Sequence, residues 1–383
     1  MKKESPWKRE LAKRRFLRIQ HQCIKFANAQ RHRKGFSRTT LRSLRREYID
    51  NLYKKIKFNK LAQTIEITGE FGIENQDRLD HFFTTARQIL SSRARNITLD
   101  FSNAQRLWPS AITLLCSFSH YTSLISVRGN SAPIVQSIHP ANEVGDDLTE
   151  CGFNRYVGRR NQQYLPGRIG RGIVRIRREA NNRDVSLREE EITDLVREFS
   201  NYTDDQIEEF DSIILPEIFN NVTEHGITHI DKGWWVLAQY HRIHNFLSIC
   251  IADNGIGIRK TLVFGPQRQR ILRYHKDEAI HEGDFIQTAA EKINISGAIN
   301  ASSAKHTTVL GMTVPGMSRY DRGARRGRGL KRIINSCFNL GITLTIISRS
   351  GFYQKVPNQA AMTKSFEKDI FSGTMYHLLV PLA

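Results

Sequence analysis

Three polar side chains, spaced four residues apart, are candidates to bind a ligand together. Glu217, Asn221 and His225 supply a carboxylate, a carboxamide and an imidazole. Residues four apart lie on one face of a helix, so the three are predicted to form a polar row. Phe210 and Ile214 extend the same face as an apolar stretch. A helix that turns a row of polar side chains toward the core side usually binds a ligand with them.

Two glycine-rich segments follow this helix. They read D-N-G-I-G at residues 253–257 and G-R-G-L at residues 327–330. Each one alone is commonly an ordinary turn or hairpin. In this order, after an acid–amide helix, the two segments indicate a nucleotide pocket.

The elements predicted for residues 170–383 would position these groups. Strands are predicted at 172–178, 234–240, 246–252, 341–348 and 374–381, and helices at 186–199, 203–224 and 330–338. The first of these helices is predicted to begin with a capping box formed by Ser186 and Glu189. The pattern predicts an α/β sandwich of helices on a mostly antiparallel sheet.

Residues 61–160 show a second alternation of strands and helices. Strands are predicted at 64–69, 96–102 and 124–127, and helices at 79–90 and 110–121. This order favours a small α/β layer.

The stretch from Leu99 to Leu115 resembles the STAS domain of anti-sigma-factor antagonists. Asp100 matches the acid at the end of a strand, and Leu114 and Leu115 match the core of the following helix. Pro109 stands where that family has its phospho-acceptor serine, so the serine switch is expected to be absent unless Ser110 substitutes. A generic βαβ docking module is the alternative interpretation.

The motifs of the C-terminal part together resemble the GHKL ATPases, the Bergerat-fold family that includes gyrase, mismatch-repair proteins, histidine kinases and anti-sigma-factor serine kinases. The resemblance rests on four segments in order: 217–221, 253–257, 327–330, and a Gly-Thr pair followed by a strand ending in proline at 373–381. The spacing of Asn221 and His225, followed by glycine, is most similar to the anti-sigma kinase branch, in which a STAS partner is typical. For His225 itself, a structural hydrogen bond near the helix end is favoured over phosphoryl acceptance.

The resemblance implies a role for each matched residue. Asp253 would accept a hydrogen bond from the adenine amino group, and Gly255 and Gly257 would let the backbone approach the base and ribose. Asn221 would offer its carboxamide oxygen to Mg²⁺, which prefers oxygen ligands. Glu217 would polarise the attacking water or hydroxyl group as a general base.

The remaining matched residues would hold the phosphates and the base. Gly327 and Gly329 would open a helix from Leu330 onward, whose first amides bind phosphate oxygens. Thr374 would support the pocket floor near the base. Cationic donors would come from Arg325, Arg326 and Arg328. The long segment 258–323 occupies the place of the family's ATP lid.

Positive charge is concentrated at the N-terminus. The chain has 383 residues and a formal net charge of +20, and residues 1–60 hold 20 Lys and Arg against 4 Asp and Glu. We expect a basic helical arm over 1–60, a STAS-like domain over 61–160 and a GHKL ATP-binding domain over 170–383. The arm suits a nucleic-acid backbone, a partner protein or, with its weak apolar face, an acidic membrane surface.

Cysteine spacing and hydropathy indicate the cellular compartment in which the protein is expected. The five cysteines form no Cys-x-x-Cys pair, which argues against a zinc site or a disulfide framework and favours a reducing cytoplasm. No apolar region follows the N-terminal basic residues, so a secretory signal is not expected. The most apolar run, 112–127, is too polar and too short to span a membrane.

Two hypotheses on function follow from the sequence. One is a regulatory enzyme that binds ATP and Mg²⁺, either as an ATPase or as an anti-sigma-type serine/threonine kinase acting on a partner protein. The other is a non-catalytic ATP-gated scaffold, with a homodimer as one arrangement, that binds nucleic acid through residues 1–60.

Overall fold

The computed structural model describes residues 59–92, 94–126, 134–138, 143–158, 172–179, 184–225, 233–241, 244–255, 257–258, 329–366 and 368–382. The predicted basic arm up to residue 58 lies outside these ranges, as does the predicted lid from residue 259 onward. Gly327, Arg328 and the two neighbouring arginines also lie outside them.

The first part of the chain is a mixed α/β unit with parallel strands. In chain order it contains β1 (Asn59–Glu66), β2 (Gly69–Phe71), a 3₁₀ turn (Gln76–Arg78), α1 (Leu79–Ser91), β3 (Ala94–Asp100), β4 (Ala104–Leu107), α2 (Pro109–Ser126), β5 (Ile134–Ile138), α3 (Glu143–Glu150) and a second 3₁₀ turn (Phe153–Arg155). A three-stranded parallel sheet has the order β1-β3-β5, and β2 and β4 form a separate parallel pair. The predicted strands at 64–69 and 96–102 and both predicted helices are present, with shifted ends.

One predicted strand of this part is wrong. Leu124 and Ser126, assigned to a strand at 124–127, form the end of α2. A short apolar run cannot be distinguished from a buried helix by periodicity alone. Pro109 begins α2 because a helix leaves its first N–H groups without intrahelical partners, so the missing N–H of proline has no cost there.

The second part is built on a seven-stranded antiparallel sheet. Its elements are β6 (Ile173–Glu179), α4 (Val185–Phe199), α5 (Asp204–Glu209), a π-helical segment (Phe210–Ile214), α6 (Leu215–His225), β7 (Trp234–His241), β8 (Phe246–Asp253), α7 (Gly329–Asn339), β9 (Thr343–Ser348), β10 (Gly351–Lys355), β11 (Met362–Ser365) and β12 (Thr374–Pro381). The strand order is β11-β10-β9-β12-β8-β7-β6, and every neighbouring pair is antiparallel. The predicted helix-on-antiparallel-sheet arrangement is therefore present in this part of the chain.

Side chains alternate between the two faces of the central strands, as the two-residue period of a strand requires. Along β8, Leu247, Ile249 and Ile251 belong to the apolar cluster beneath α4, α6 and α7. Ala252 belongs to the cluster on the opposite face. Both faces of the sheet are therefore buried.

The first unit covers the second face of the sheet. Its helix α2 packs on β7 and β8, and the ring of Phe83 on α1 meets that of Phe352 on β10 with 4.9 Å between centroids. Tyr156 lies edge-on to Trp235 of β7 at 4.8 Å. One apolar cluster thus crosses the predicted boundary between residues 160 and 170.

The capping box of this part of the chain lies at the start of α5 and not at the start of α4. The predicted capping box of Ser186 and Glu189 is wrong, because α4 begins at Val185 and its N-cap side chain makes no capping bond. A capping box is instead present at the start of α5, between Thr203 and Gln206. Helix α5, the π-helical segment and α6 then follow one another without a break.

No helix within the described ranges combines the length and the apolar character needed to cross a membrane.

Candidate functional site

The side chain of Glu217, on α6, contacts the start of α7. Its half-buried carboxylate accepts a hydrogen bond from the guanidinium of Arg332, with 2.5 Å between Oε1 and Nη1. A Cβ atom added to Gly329, the first residue of α7, would lie 2.6 Å from Oε2 of Glu217. Glycine at this position therefore lets the helix start approach the carboxylate closely.

One buried phenol, that of Tyr376, lies near both Asn221 and Asp253. Tyr376 of β12 shares a side-chain hydrogen bond with Asn221 and lies close enough to Asp253 to feel its charge. Burial, with the charge of Asp253 as a smaller contribution, raises the pKa of Tyr376, and the bond with Asn221 opposes that rise. The amide of α6 therefore contacts a side chain two residues beyond Thr374, the strand partner of Asp253.

Asp253 closes its own turn. It is the last residue of β8, is 3% exposed, and pairs with Trp234 on one side and Thr374 on the other. Its Oδ1 accepts the backbone N–H of Gly255 at 2.6 Å. A Cβ atom at Gly373 would lie 2.0 Å from the carbonyl oxygen of Asp253, so the start of β12 packs against the turn where only glycine fits.

The second glycine of the turn is held in a left-handed conformation. Gly257 has φ of 82°, which glycine adopts without steric cost. The next residue, Ile258, donates its backbone N–H to the hydroxyl of Ser348 at 2.9 Å. Ser348 pairs with Thr374 across β9 and β12, so the turn is anchored to two strands beneath it.

The structure brings together most of the predicted residues that it describes. Glu217 lies against Gly329, Asn221 hydrogen bonds to Tyr376, and Thr374 is the strand partner of Asp253. Leu330 packs at the edge of the apolar cluster under the helices. The side chain of His225 lies outside the described part of the chain.

Sequence reasoning missed two residues of this site. Tyr376 follows Thr374 by two residues on β12, so the alternation of a strand places both on the same face. Arg332 follows Gly329 by three residues on α7, which places both on one side of the helix. The sequence spacing of Tyr376 and Arg332 was compatible with a place in the site, but their contacts with Asn221 and Glu217 depend on tertiary packing.

A second polar cluster lies on the opposite face of the sheet. The fully buried carboxylate of Glu74 accepts hydrogen bonds from the backbone N–H of Ser110 at 3.0 Å and from the hydroxyl of Ser248 at 3.0 Å. It also accepts a bond from the hydroxyl of Ser110. Nε2 of His377 lies 3.1 Å from Oε1 of Glu74. These contacts connect the first unit to β8 and β12.

This cluster contains three side chains that metals use as ligands. The donor atoms of Glu74, Cys250 and His377 lie within 4.8 Å of one another, and all three residues are buried. The carboxylate already receives several hydrogen bonds from neighbouring groups, whereas Nδ1 of His377 is buried without a hydrogen-bond partner among the described residues.

The position of Ser110 bears on the predicted absence of a serine switch. Its hydroxyl is 0% exposed, donates to Glu74 and accepts the backbone N–H of Ile73 at 3.0 Å. A kinase needs access to the hydroxyl that it modifies. Ser110 is therefore not presented as a phospho-acceptor in this conformation.

The Glu74 cluster predicts a specific loss of stability in acid. Burial alone would raise the pKa of Glu74, but attraction and hydrogen bonding to His377, with the bonds from Ser110, lower it from 4.5 to about 2. A lowered carboxyl pKa stabilises the fold above pH 4.5, and this contribution is lost between pH 4.5 and 2. At about 1.4 kcal/mol per pH unit, the loss is on the order of 3 kcal/mol.

Urea unfolding measured across this pH range tests the contribution. The wild type should lose stability more steeply below pH 4.5 than Glu74→Gln. Burial also lowers the pKa of the nearby His241 to about 4, and the charge of Glu74 opposes that lowering, so the comparison is repeated with His241→Gln in both proteins. Parallel curves for the two proteins would contradict the role of Glu74.

Searches of protein-family models and of curated proteins found no match to this chain. Its function is therefore inferred from its own residues.

Proposed function

We propose that this protein is an ATP-binding regulatory protein of the GHKL type, which binds ATP with Mg²⁺ and hydrolyses it or transfers its phosphoryl group. The observation that carries the proposal is the convergence of three separate segments. Helix α6 supplies Glu217 and Asn221, the end of β8 supplies Asp253, and the start of α7 supplies Gly329.

The end of β8 suits the adenine base. A carboxylate accepts several hydrogen bonds, so the bond that Asp253 receives from Gly255 is compatible with a further one from the adenine amino group. Guanine carries a carbonyl oxygen at the corresponding position, and two acceptors would repel each other. The buried setting of Asp253 strengthens this selection, because an unmatched polar pair is costly away from water.

The start of α7 suits the phosphates. The first amides of a helix and its dipole favour negative charge, and Gly329 leaves its backbone open to close approach. Arg332 adds a cationic group on the same helix. Asn221 lies one turn after Glu217 on the neighbouring α6 and bonds to Tyr376, and its carboxamide oxygen would be a ligand for Mg²⁺ bound to the phosphates.

The ion pair of Glu217 suggests how the reaction is started. In the structure, the guanidinium of Arg332 forms an ion pair with the carboxylate of Glu217. Phosphate oxygens arriving at the start of α7 would compete for this guanidinium and release the carboxylate. Glu217 would then accept a proton from the attacking water or hydroxyl group as the bond to the γ-phosphorus forms and ADP leaves.

The first unit, which resembles a STAS domain, is proposed to pack on the ATP-binding unit as part of the same protein and not to act as a separate phosphorylated partner. Its large apolar contact with the sheet and the burial of Ser110 support this role. The alternative, a non-catalytic scaffold that binds nucleic acid, is favoured by the concentration of basic residues in 1–60. The two proposals differ in turnover, since a scaffold would bind ATP without hydrolysing it.

Titration calorimetry of the full-length protein tests the proposal. We expect saturable binding of ATP in the presence of Mg²⁺, weaker binding when the metal is chelated with EDTA, and much weaker binding of GTP. Equal binding of ATP and GTP would contradict the role of the Asp253 turn. The absence of any ATP binding would refute the proposed function as a whole.

A further inference from the structure

Three buried polar groups join the first unit to the Asp253 turn. They are the hydroxyl of Ser117 on α2, the amide of Asn254 and the hydroxyl of Ser372, with residue exposures of 0%, 1% and 3%. Both hydroxyls hydrogen bond to Oδ1 of Asn254, that of Ser372 at 2.5 Å. The two hydroxyl oxygens lie 2.9 Å apart. We call this set the Asn254 triangle.

Two corners of the Asn254 triangle adjoin the candidate adenine site. Asn254 directly follows Asp253, and Ser372 directly precedes Gly373. Gly373 is the residue that packs against the carbonyl of Asp253 with no room for a side chain. The triangle therefore holds both backbone segments that meet at the turn.

The third corner comes from the opposite side of the sheet. Helix α2 belongs to the first unit and packs on β7 and β8 through the face that carries no candidate nucleotide residue. Through Ser117, α2 makes a polar contact with Asn254, the residue that directly follows β8. The guanidinium of Arg349, which follows β9, donates to the carbonyl of Ser372 at 2.7 Å. The turn is therefore contacted both by α2 of the first unit and by a residue of the part that contains the seven-stranded sheet.

We propose that Ser117 is a positioning residue for ATP binding, so that the first unit sets the geometry of the Asp253 turn. This inference rests on the proposed function. A carboxylate selects adenine only if it is placed within a few tenths of an ångström of hydrogen-bonding geometry. Loss of the Ser117 hydroxyl leaves the amide oxygen of Asn254 with one hydroxyl partner and lets the turn shift.

The coupling works in both directions. If docking of α2 against the turn strengthens ATP binding, ATP binding stabilises the docked arrangement by the same factor. The first unit would then respond to nucleotide occupancy without carrying a nucleotide residue itself. This arrangement makes the first unit an internal regulator of the site.

The test compares Ser117→Ala with Ser119→Ala in the full-length protein. Ser119 lies on the same helix, and its hydroxyl donates to the carbonyl of Tyr156 at 2.9 Å, away from the turn. Ser117→Ala removes a fully buried hydroxyl that contacts Asn254 and Ser372, and Ser119→Ala removes a part-buried hydroxyl with one bond, so urea unfolding of both variants measures any difference in global stability. We expect ATP to bind about fivefold more weakly to Ser117→Ala, as loss of one buried hydrogen bond implies, and unchanged binding to Ser119→Ala.

Steady-state kinetics and hydrogen exchange extend the comparison. Ser117→Ala should raise KM with kcat nearly unchanged, since it misplaces a binding group and leaves Glu217 in place. Without nucleotide, the amide of Gly255, which bonds to Asp253, should exchange faster in Ser117→Ala than in Ser119→Ala. A purely structural role for Ser117 would change neither measurement relative to the control.

The outcomes separate this inference from the proposed function. Wild-type ATP affinity in Ser117→Ala would overturn the positioning role and leave ATP binding intact. If the wild type binds no ATP, the proposed function fails, and unchanged exchange of the Gly255 amide in Ser117→Ala would overturn the positioning role as well. If Ser117→Ala does not fold, Ser372→Ala removes the neighbouring corner and should give the same changes in affinity and exchange.

Discussion

Asp253→Asn is expected to weaken ATP binding roughly ten- to hundredfold, the loss associated with a buried hydrogen bond to a charged group. The asparagine oxygen can still accept the N–H of Gly255, so the turn should remain closed. The substitution removes the charged oxygen that would accept a hydrogen bond from the adenine amino group. In its place the asparagine can present its own NH₂ group, and two donors cannot bond to each other. Calorimetry with ATP and Mg²⁺ measures the change directly.

Asp100→Asn is a matched control for this prediction. Asp100 also ends a strand and accepts bonds from the residue two positions later, the N–H of Ser102 at 2.9 Å and its hydroxyl at 2.6 Å. It lies in the first unit, away from the Asp253 turn. ATP affinity should be unchanged in Asp100→Asn, and unchanged affinity in Asp253→Asn would remove the adenine role of Asp253.

Glu217→Gln is expected to lower ATP turnover by about 10²- to 10⁴-fold, the usual contribution of a general base. Glutamine has the same shape and keeps an oxygen that can accept from Arg332, so ATP affinity should change little. The predicted signature is therefore a loss of kcat with nearly unchanged binding. Release of phosphate or transfer to a co-purified protein, followed with radiolabelled ATP, measures the turnover.

Glu191→Gln provides the control for the loss of an acid–arginine pair. Glu191 pairs with Arg188 on α4, as Glu217 pairs with Arg332, but lies outside the candidate site. Turnover should be normal in this variant. Normal turnover in Glu217→Gln would show that another group acts as the base, and an inactive wild type that still binds ATP would favour the scaffold hypothesis.

The helix and strands of the candidate site could be predicted because their patterns are local. Strands β7 and β8 are mostly buried runs of eight residues each and pair directly with each other. Strand β12 was predicted with the same limits, 374–381, that it has in the structure. The Asp253 turn directly follows β8, so its place at a strand end followed from the sequence.

Other features depend on packing between distant segments. Strands β5, β10 and β11 were not predicted, because short strands have weak periodic signals and gain stability from their neighbours. The contact of α2 with the sheet, the pair of Glu74 with His377 and the Asn254 triangle all join residues far apart in the chain. A pattern read along one segment contains no information on which distant polar group it will meet.

The central claim is that α6, the end of β8 and the start of α7 enclose one ATP molecule with its Mg²⁺. The most direct measurement is a crystal structure of the full-length protein with a non-hydrolysable ATP analogue and Mg²⁺. We predict the adenine amino group at hydrogen-bonding distance from Asp253, the metal on Asn221, and the phosphates at the start of α7 near Gly329. Nucleotide bound elsewhere, with the space between Asp253 and Gly329 empty, would contradict this account.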